Sequence, residues 1–166
     1  FGQTEVPQIA ICMRASEWQD PQNYASTGRA TLLTQIGIID GDGQLLGPDE
    51  MGEIVVSGDL VMTGYYKMPD KTAETIIDGW LHAGDIGYID SRGYVFIKDL
   101  IRDVVITGGF NVYPSDVEAV LGWHPDIREG VVYGVSDAKW GDSVHAAVEL
   151  HDGATTSPAD IFKLVK

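Results

Sequence analysis

The first hundred residues alternate short apolar runs with clusters of Gly, Asp, Asn and Ser, a pattern typical of strands joined by turns. Asp40-Gly-Asp-Gly43 and Ser91-Arg-Gly93 have the composition of tight turns. A polar stretch at 14–29 predicts a loop, and 69–77 predicts a short helix. The predicted strands are 8–13, 31–39, 52–57, 80–82, 87–89 and 94–98.

The remaining residues mix strands with helices. The elements predicted are a hairpin over 103–113, a helix over about 115–122, strands near 128–135 and 143–150, and a helix after Ser157. Ser115 and Glu118 have the spacing of a Ser-x-x-Glu capping box, and Ser157 precedes a proline as an N-cap does. We predict an α+β fold: a β-rich segment, forming a small antiparallel barrel or sheet, followed by a small α+β domain.

Composition excludes several classes of function. The apolar fraction of 44% is enough for a packed core, and the net charge of −14 argues against binding to nucleic acid or to an anionic membrane. The single cysteine, Cys12, rules out an intrachain disulfide, and no apolar run reaches the ~20 residues of a transmembrane helix. The four histidines lack metal-ligand spacing, so we predict no zinc site. We expect a soluble, cytoplasmic protein.

The most constrained pattern is at 102–118, Arg-Asp-Val-Val-Ile-Thr-Gly-Gly-Phe-Asn-Val-Tyr-Pro-Ser-Asp-Val-Glu. A glycine pair is the usual device for positive φ or for close backbone approach to a ligand. The segment resembles the hinge and first hairpin of the carboxyl-terminal domain of the acyl-CoA synthetases, which are adenylate-forming, AMP-binding ligases. The resemblance implies activation of a carboxylic acid with ATP and transfer of the acyl group from AMP to CoA.

Phe1-Gly-Gln-Thr-Glu5 resembles the aromatic-Gly-x-Thr-Glu motif of that family. The resemblance implies that Phe1, with Gly2, lies by the adenine, that the Thr4 hydroxyl reaches a phosphate and that Glu5 holds Mg²⁺. Thr4 and Glu5 are therefore the predicted catalytic residues. The chemistry fits, because Mg²⁺ prefers one or two carboxylates together with phosphate oxygens and waters. Taken alone, the five residues also fit an incidental glutamate at a frayed end.

Three further stretches, Gly52–Gly58, Gly64–Tyr66 and Asp78–Asp85, resemble the next family motifs in order. The resemblance implies that Asp85 receives the ribose hydroxyls of the nucleotide, since a carboxylate accepts hydroxyl donors through charge-assisted bonds. The residue alone would also fit a turn carboxylate after a glycine. Ala83 stands where the family usually has threonine.

The hinge departs from the family pattern. Leu100 replaces an arginine that ordinarily contacts the ribose or phosphates, so we expect weaker nucleotide binding. Arg102 falls on the hinge residue, about which the carboxyl-terminal domain of the family swings between adenylation and thioester formation. A solvated surface charge is the alternative for Arg102.

The predicted acceptor side follows the hinge. The resemblance implies that Gly108-Gly109 lines the pantetheine path of CoA and that Asn111 reaches the adenylate phosphate in the other orientation. Asp137-Ala-Lys-Trp-Gly141 resembles the Asp-x-x-Trp-Gly element of the family, in which Trp140 flanks the acceptor tunnel and Lys139 meets CoA phosphates. These residues also fit a tight turn, a local cap and an edge-packing tryptophan.

Two family elements are expected outside the sequence: a Ser/Thr/Gly-rich phosphate loop before Phe1 and a catalytic lysine after Lys166. Lys163 and Lys166 both precede the expected place of that lysine. We therefore expect a fragment that is inactive alone. Residues 1–101 would be the β-rich end of the large AMP-binding domain, and 102–166 the mobile carboxyl-terminal domain, truncated before its lysine.

The function predicted for the parent is that of an acyl- or aryl-CoA synthetase, an enzyme type of fatty acid metabolism. Its cofactors would be ATP/AMP, Mg²⁺ and CoA, and its substrate a small carboxylic acid. Two alternatives stay open. One is an adenylation domain of a peptide synthetase, which delivers to a carrier protein; the other is a degenerate, non-catalytic binding module, which Leu100 favours.

Overall fold

The computed structural model describes residues 1–7 and 9–165, which form eleven β-strands and three α-helices. The strands are β1 (Ile11–Cys12), β2 (Arg29–Ala30), β3 (Thr34–Ile39), β4 (Gly52–Gly58), β5 (Ile76–Ile77), β6 (Trp80–Ile89), β7 (Val95–Leu100), β8 (Val105–Thr107), β9 (Phe110–Val112), β10 (Ile127–Asp137) and β11 (Gly141–Leu150). The helices are α1 (Pro69–Thr75), α2 (Pro114–Leu121) and α3 (Pro158–Leu164). The chain divides into two compact units, Phe1–Ile101 and Arg102–Lys166.

The first unit is built on an antiparallel sheet that is open rather than closed into a barrel. Its strand order is β3-β4-β6-β5, and β7 pairs with β6 beyond the end of β5. Strand β4 is covered on both faces, because the consecutive residues Ile54, Val55 and Val56 are all buried and successive side chains point to opposite faces. The predicted α+β class is confirmed.

A bulge interrupts the pairing of β6, which the sequence predicted to be two separate strands. Between two successive pairs the register advances two residues along β4, from Glu53 to Val55, but four residues along β6, from Ile86 to His82. Gly84 lies within the extra residues at φ +74°, a backbone conformation that favours glycine. The residues that suggested a break between two strands therefore form a bulge inside one continuous strand.

Helix α1 ends at Thr75, two residues before its predicted end. Ile76 and Ile77 leave the helix and pair with Leu81 and Trp80. Isoleucine favours extended backbone where a sheet edge is available, and the helical pattern could not reveal that edge.

The predicted loop 14–29 contains two 3-10 turns, Glu17–Gln19 and Pro21–Asn23, and its end pairs as β2 with β1. Strand β1 lies within the predicted strand 8–13, of which Gln8 is outside the described residues. The second strand of this small ribbon was missed because only two residues take part in it.

The second unit is a four-stranded antiparallel sheet of order β10-β11-β8-β9. Val132 and Val148 lie on one face of the long β10–β11 hairpin, and side chains of α2 and α3 pack against them. Both strands extend further than predicted and meet at a turn over 138–140. This turn carries part of the predicted acceptor side.

Helix α2 begins one residue earlier than predicted, at Pro114, and Tyr113 occupies the N-cap position without a side-chain cap. Proline suits the first helical position because its φ is already helical and no N–H is lost there. The carboxylate of Glu118 accepts from the backbone N of Val132 at 2.8 Å. The predicted capping box with Ser115 is therefore wrong, and Glu118 instead ties α2 to β10.

The start of α3 is confirmed. The hydroxyl of Ser157 accepts a hydrogen bond from the backbone N of Asp160, and Pro158 follows at the first helical position. Ile161 packs into the apolar cluster of the unit, and Lys166 lies outside the described residues. In the part of the chain that the structure describes, no helix is long and apolar enough to cross a membrane.

Candidate functional site

The first residues of the chain form a tight turn beside the first sheet. The backbone N of Val6 donates to the carbonyl of Gln3 at 3.1 Å, which places Thr4 and Glu5 at the tip. Thr4 is exposed and Glu5 is half-buried. The Phe1 ring is half-buried and packs against the apolar core. The turn is thus anchored by apolar contact while its polar tip stays accessible.

The side chain of Gln3 joins this turn to the bulge in β6. Its Nε2 donates to the carbonyl of Ala83 and to Oδ2 of Asp85, both at 2.8 Å. Both partners are acceptors, so the amide must present its nitrogen to them and uses both of its hydrogens. The turn and the Asp85 carboxylate are therefore held side by side.

Asp85 is a buried carboxylate. It lies directly after Gly84 in the bulge, pairs with Leu100 of β7, and is only 6% exposed. Burial raises the pKa of Asp85 above its ordinary value, and the hydrogen bond from Gln3 opposes that rise. A buried carboxylate of this kind is unfavourable for folding. Groups with such perturbed pKa values are common at binding and catalytic sites.

A tyrosine near α1 holds Glu5. The hydroxyl of Tyr65 donates to Oε1 of Glu5 at 2.5 Å. The backbone N of Tyr65 in turn donates to the hydroxyl of Thr72, which donates to the carbonyl of Met68. The hydrogen bond to Glu5 is the largest cause that raises the pKa of Tyr65, since an ionised phenol would lose the donor. Tyr65 therefore remains a donor at neutral pH.

The donor set around Glu5 suits one kind of metal site. Within residues 1–7 and 9–165, no three His, Cys, Asp or Glu side chains converge as they do in an all-protein metal cage. Mg²⁺ does not need such a cage, because a carboxylate, phosphate oxygens and waters are enough. Glu5, half-buried and fixed by Tyr65, fits an Mg²⁺ that arrives with a nucleotide.

In the second unit the glycine hairpin packs against a tryptophan. Gly108 and Gly109 have φ of +56° and +84°. The backbone N of Gly108 donates to the carbonyl of Trp140 at 2.8 Å, and a Cβ added to Gly108 would lie 3.1 Å from Cε3 of the Trp140 ring. Trp140 is 51% exposed, so part of its ring is free to contact a ligand. Hairpin backbone and indole together form one accessible wall.

Asp137 builds the turn that presents Trp140. Its Oδ1 accepts from the backbone N of Lys139 at 2.8 Å and from that of Trp140 at 2.9 Å, an aspartate turn. The ammonium of Lys139 lies 4.5 Å from the centre of the Trp140 ring, within cation–π range. Asp137 was not among the predicted site residues, although the Asp-x-x-Trp-Gly spacing contains this signal.

Comparison with protein families gives the decisive observation. Residues 1–66 match the family model of the AMP-binding enzymes, and residues 116–166 match that of the AMP-binding enzyme C-terminal domain. The chain belongs to the AMP-binding enzymes. The predicted family is therefore confirmed.

Known relatives are ligases. The chain is 41% identical over 162 residues to a fatty acid–[acyl-carrier-protein] ligase of Streptomyces coeruleorubidus, covering 97% of this chain and 31% of that protein. It is 43% identical over 159 residues to the 2-succinylbenzoate–CoA ligase of Geobacillus kaustophilus, covering 96% and 32%. It thus spans about a third of the length of these relatives.

A solved structure shows the same fold. The o-succinylbenzoate CoA synthetase of Bacillus subtilis, in complex with its acyl-adenylate intermediate, matches with a TM-score of 0.85 and 34% identity. The match covers 98% of this chain and 33% of that one. A chain of this AMP-binding family therefore adopts this architecture with an adenylate bound.

The predicted site residues fall into two groups, one on each unit. In the first unit the turn from Phe1 to Glu5, including the exposed Gly2, lies against Asp85. In the second, Gly108-Gly109 lies beside Lys139 and Trp140. Their roles stay predictions.

Two predicted residues lie apart from these contacts. Asn111 is exposed on β9, where it pairs with Ile106 across the hairpin. Arg102 is exposed in the 3-10 turn between β7 and β8, with its Nε 3.7 Å from the carboxylate of Asp103. The Arg102 position is compatible with both a hinge residue and a solvated charge.

Proposed function

We propose that these residues belong to an ATP-dependent acid–thiol ligase that makes a CoA thioester. The carboxylate of the acid attacks the α-phosphate of ATP, which forms an acyl-adenylate and releases pyrophosphate. The sulfur of CoA then attacks the acyl carbon, which releases AMP and transfers the thiol proton to solvent or a base. The names of the relatives support this class of reaction.

The observation that carries the proposal is the buried carboxylate of Asp85 beside the turn of residues 1–5. A buried carboxylate is costly unless its oxygens receive hydrogen bonds. A ribose supplies two hydroxyl donors, and the bulge holds Asp85 where the Phe1–Glu5 turn lies alongside. We assign Asp85 to the ribose and the turn to the adenine and phosphates.

Four residues of the turn have distinct roles. The Phe1 ring, with Gly2 leaving room, packs against the adenine, and the Thr4 hydroxyl donates to a phosphate oxygen. Glu5 would hold Mg²⁺, which when bound neutralises phosphate charge. Tyr65 keeps Glu5 in place.

The second unit supplies the acceptor side. Gly108-Gly109 has no side chains, so a narrow pantetheine arm can run along its backbone. Trp140 forms the wall of that path, and the cation of Lys139 attracts CoA phosphates. Asn111 would reach the adenylate phosphate when the unit takes its other orientation.

We further propose that residues 1–101 end the large AMP-binding domain and that residues 102–166 begin the mobile one, with Arg102 at the hinge. The division of the chain between Ile101 and Arg102 supports this boundary. Since the chain spans about a third of its relatives, we propose that the 166 residues alone do not complete the reaction.

A carrier protein is the second candidate for the acceptor. The relative from Streptomyces coeruleorubidus is named for an acyl-carrier-protein substrate, which favours this alternative. A carrier presents the same pantetheine arm as CoA, so the glycine hairpin suits both. Free CoA also carries adenosine phosphates that a carrier protein lacks, and Lys139 would recognise them.

The experiment measures products of the complete gene product that contains these residues. The protein is incubated with ATP, Mg²⁺ and a panel of carboxylic acids. The acceptor is either CoA or a carrier protein that bears a free pantetheine thiol, and AMP and thioester are quantified by mass spectrometry. We expect one AMP per acyl-CoA, and none from the 166-residue polypeptide alone. Thioester on the carrier only would establish the alternative, and absence of any AMP release with every acid would overturn the proposal in favour of a non-catalytic module.

A further inference from the structure

We infer that Gln3 is a positioning residue for Asp85 and thereby sets how strictly the protein requires ribose hydroxyls on its nucleotide. The inference rests on the proposed function, because it takes Asp85 as the acceptor of those hydroxyls. It concerns the variable position of the Phe1–Glu5 turn, to which the sequence pattern assigned no role.

The carboxylate of Asp85 can rotate unless hydrogen bonds hold its plane. The carboxylate follows Gly84 in the bulge, and a Cβ added at Gly84 would meet no atom within 4 Å. Gly84 therefore contributes no side-chain contact that could hold the Asp85 carboxylate. The last torsion of an aspartate has a broad energy profile, so the plane of its carboxylate is set by hydrogen bonds rather than by a rotamer well.

Gln3 supplies two hydrogen bonds beside this carboxylate. Its Nε2 donates at 2.8 Å to Oδ2 of Asp85 and at 2.8 Å to the carbonyl of Ala83. One donor thus fixes the carboxylate, and the other fixes the backbone two residues before it. An asparagine would be one methylene shorter, and an apolar side chain would supply neither bond. Gln3 therefore acts on both the position and the plane of the carboxylate.

The orientation of the Asp85 carboxylate affects how well a nucleotide can bind to it. The bond from Gln3 occupies one lone-pair site on Oδ2 and leaves the other sites of the carboxylate for ribose donors. A carboxylate that rotates would meet those donors at poor angles, and hydrogen bonds weaken steeply with misalignment. Contacts to adenine and phosphates do not pass through Asp85. Because Phe1 and the Tyr65–Glu5 hydrogen bond also anchor the turn, loss of Gln3 should weaken binding mainly through the hydroxyls.

The experiment compares nucleotides that differ only in a ribose hydroxyl. Dissociation constants of ATP, 2′-deoxy-ATP and 3′-deoxy-ATP are measured by calorimetry for the complete protein, its Gln3→Leu variant and the control Gln35→Leu. Gln35 is an exposed glutamine on β3. For the unmodified protein we expect at least one deoxy nucleotide to bind about 10-fold more weakly than ATP.

For Gln3→Leu we expect the affinity for ATP to fall about 10-fold while that for the poorly bound deoxy nucleotide changes less than about 2-fold. The ratio of the two constants is internal to each protein, so a partly unfolded sample does not alter it. Gln35→Leu should keep the ratio of the unmodified protein.

The outcomes distinguish a failure of the proposed function from a failure of the role inferred for Gln3. If the unmodified protein binds no adenine nucleotide, the proposed function fails and the inference with it. If the unmodified protein discriminates and Gln3→Leu keeps the same ratio, the proposed function stands and the role of Gln3 is refuted. The role of Gln3 would also be refuted if the unmodified protein bound all three nucleotides equally well. The same holds if Gln35→Leu lost as much discrimination between the nucleotides as Gln3→Leu.

Discussion

The hydroxyl of Tyr65 donates a 2.5 Å hydrogen bond to the carboxylate of Glu5, across 60 residues of sequence. Glu5 is half-buried at the tip of a turn, where a glutamate would normally sample several rotamers. Tyr65 is itself fixed by Thr72 in the middle of α1. The bond therefore transfers the rigidity of the α1 region to a single carboxylate, which is what a metal ligand needs.

Replacing Tyr65 with phenylalanine tests this relationship. Because partners that orient a metal-binding carboxylate typically contribute about 10- to 100-fold in affinity, we expect Tyr65→Phe to raise the Mg²⁺ concentration needed for ATP binding by about 10-fold. Binding of Mn²⁺ in the presence of ATP, followed by electron paramagnetic resonance, reports the same effect without turnover.

The neighbouring tyrosine provides a matched control. Tyr66 is 86% exposed, so Tyr66→Phe should leave metal binding unchanged. Identical metal affinity in Tyr65→Phe and Tyr66→Phe would show that the hydrogen bond to Glu5 has no role in metal binding.

Gly84 offers a test of the bulge. At its φ of +74°, a residue with a side chain would destabilise the folded protein by about 1–2 kcal/mol. A Cβ added to Gly84 would meet no atom within 4 Å, so no steric clash would add to this cost. We expect Gly84→Ala to lower the free energy of unfolding by that amount in urea denaturation. Gly41→Ala, where a Cβ also meets nothing within 4 Å and φ is ordinary, should change it by less than about 0.5 kcal/mol. Equal effects at the two glycines would contradict the strained bulge.

The pH dependence of stability tests the burial of Asp85. Burial raises its pKa in the folded protein above 3.8, so the folded state favours the neutral acid. The stability that this group contributes is complete below pH 3.8 and is lost as pH rises through the raised pKa. Asp85→Asn, which is neutral throughout and can still accept from Gln3, should therefore be more stable than the unmodified protein at pH 7.

Thermal unfolding from pH 3 to pH 7 checks this expectation. The difference between Asp85→Asn and the unmodified protein should grow as pH rises and vanish near pH 3. A difference that is constant with pH would mean that folding does not shift the pKa of Asp85, and one that favours the unmodified protein at pH 7 would mean that the ionised carboxylate is stabilised in the fold.

Trp140 tests the acceptor side. Its ring is half-exposed beside Gly108, so Trp140→Ala should raise KM for CoA about 5- to 10-fold, the equivalent of one lost aromatic contact, and leave adenylation unchanged. Trp123 is 79% exposed in the same unit and supplies the control, since Trp123→Ala should alter neither step. An unchanged KM for CoA in Trp140→Ala would place the indole outside the thiol path.

The sequence predicted the family and the α+β class, because each motif is a local pattern of adjacent residues, and the roles of the site residues that it named stay predictions. It did not reveal Gln3 or Tyr65, whose partners lie 82 and 60 residues away. A polar contact of that separation leaves no periodic signal. The two-residue strand Ile76–Ile77 was missed for a similar reason, since only its pairing with β6 makes it a strand.

The most direct test of the account is ATP–pyrophosphate exchange, driven by a carboxylic acid, in the complete gene product and in its Asp85→Asn variant. Exchange requires reversible formation of an acyl-adenylate and does not depend on the thiol acceptor. We expect acid-dependent exchange in the unmodified protein and a loss of at least about 10-fold in the variant, since a neutral amide replaces the charged acceptor of the ribose hydroxyls. Exchange that is equally fast in both proteins would remove Asp85 from the nucleotide site, and no exchange with any acid would contradict the adenylation reaction itself.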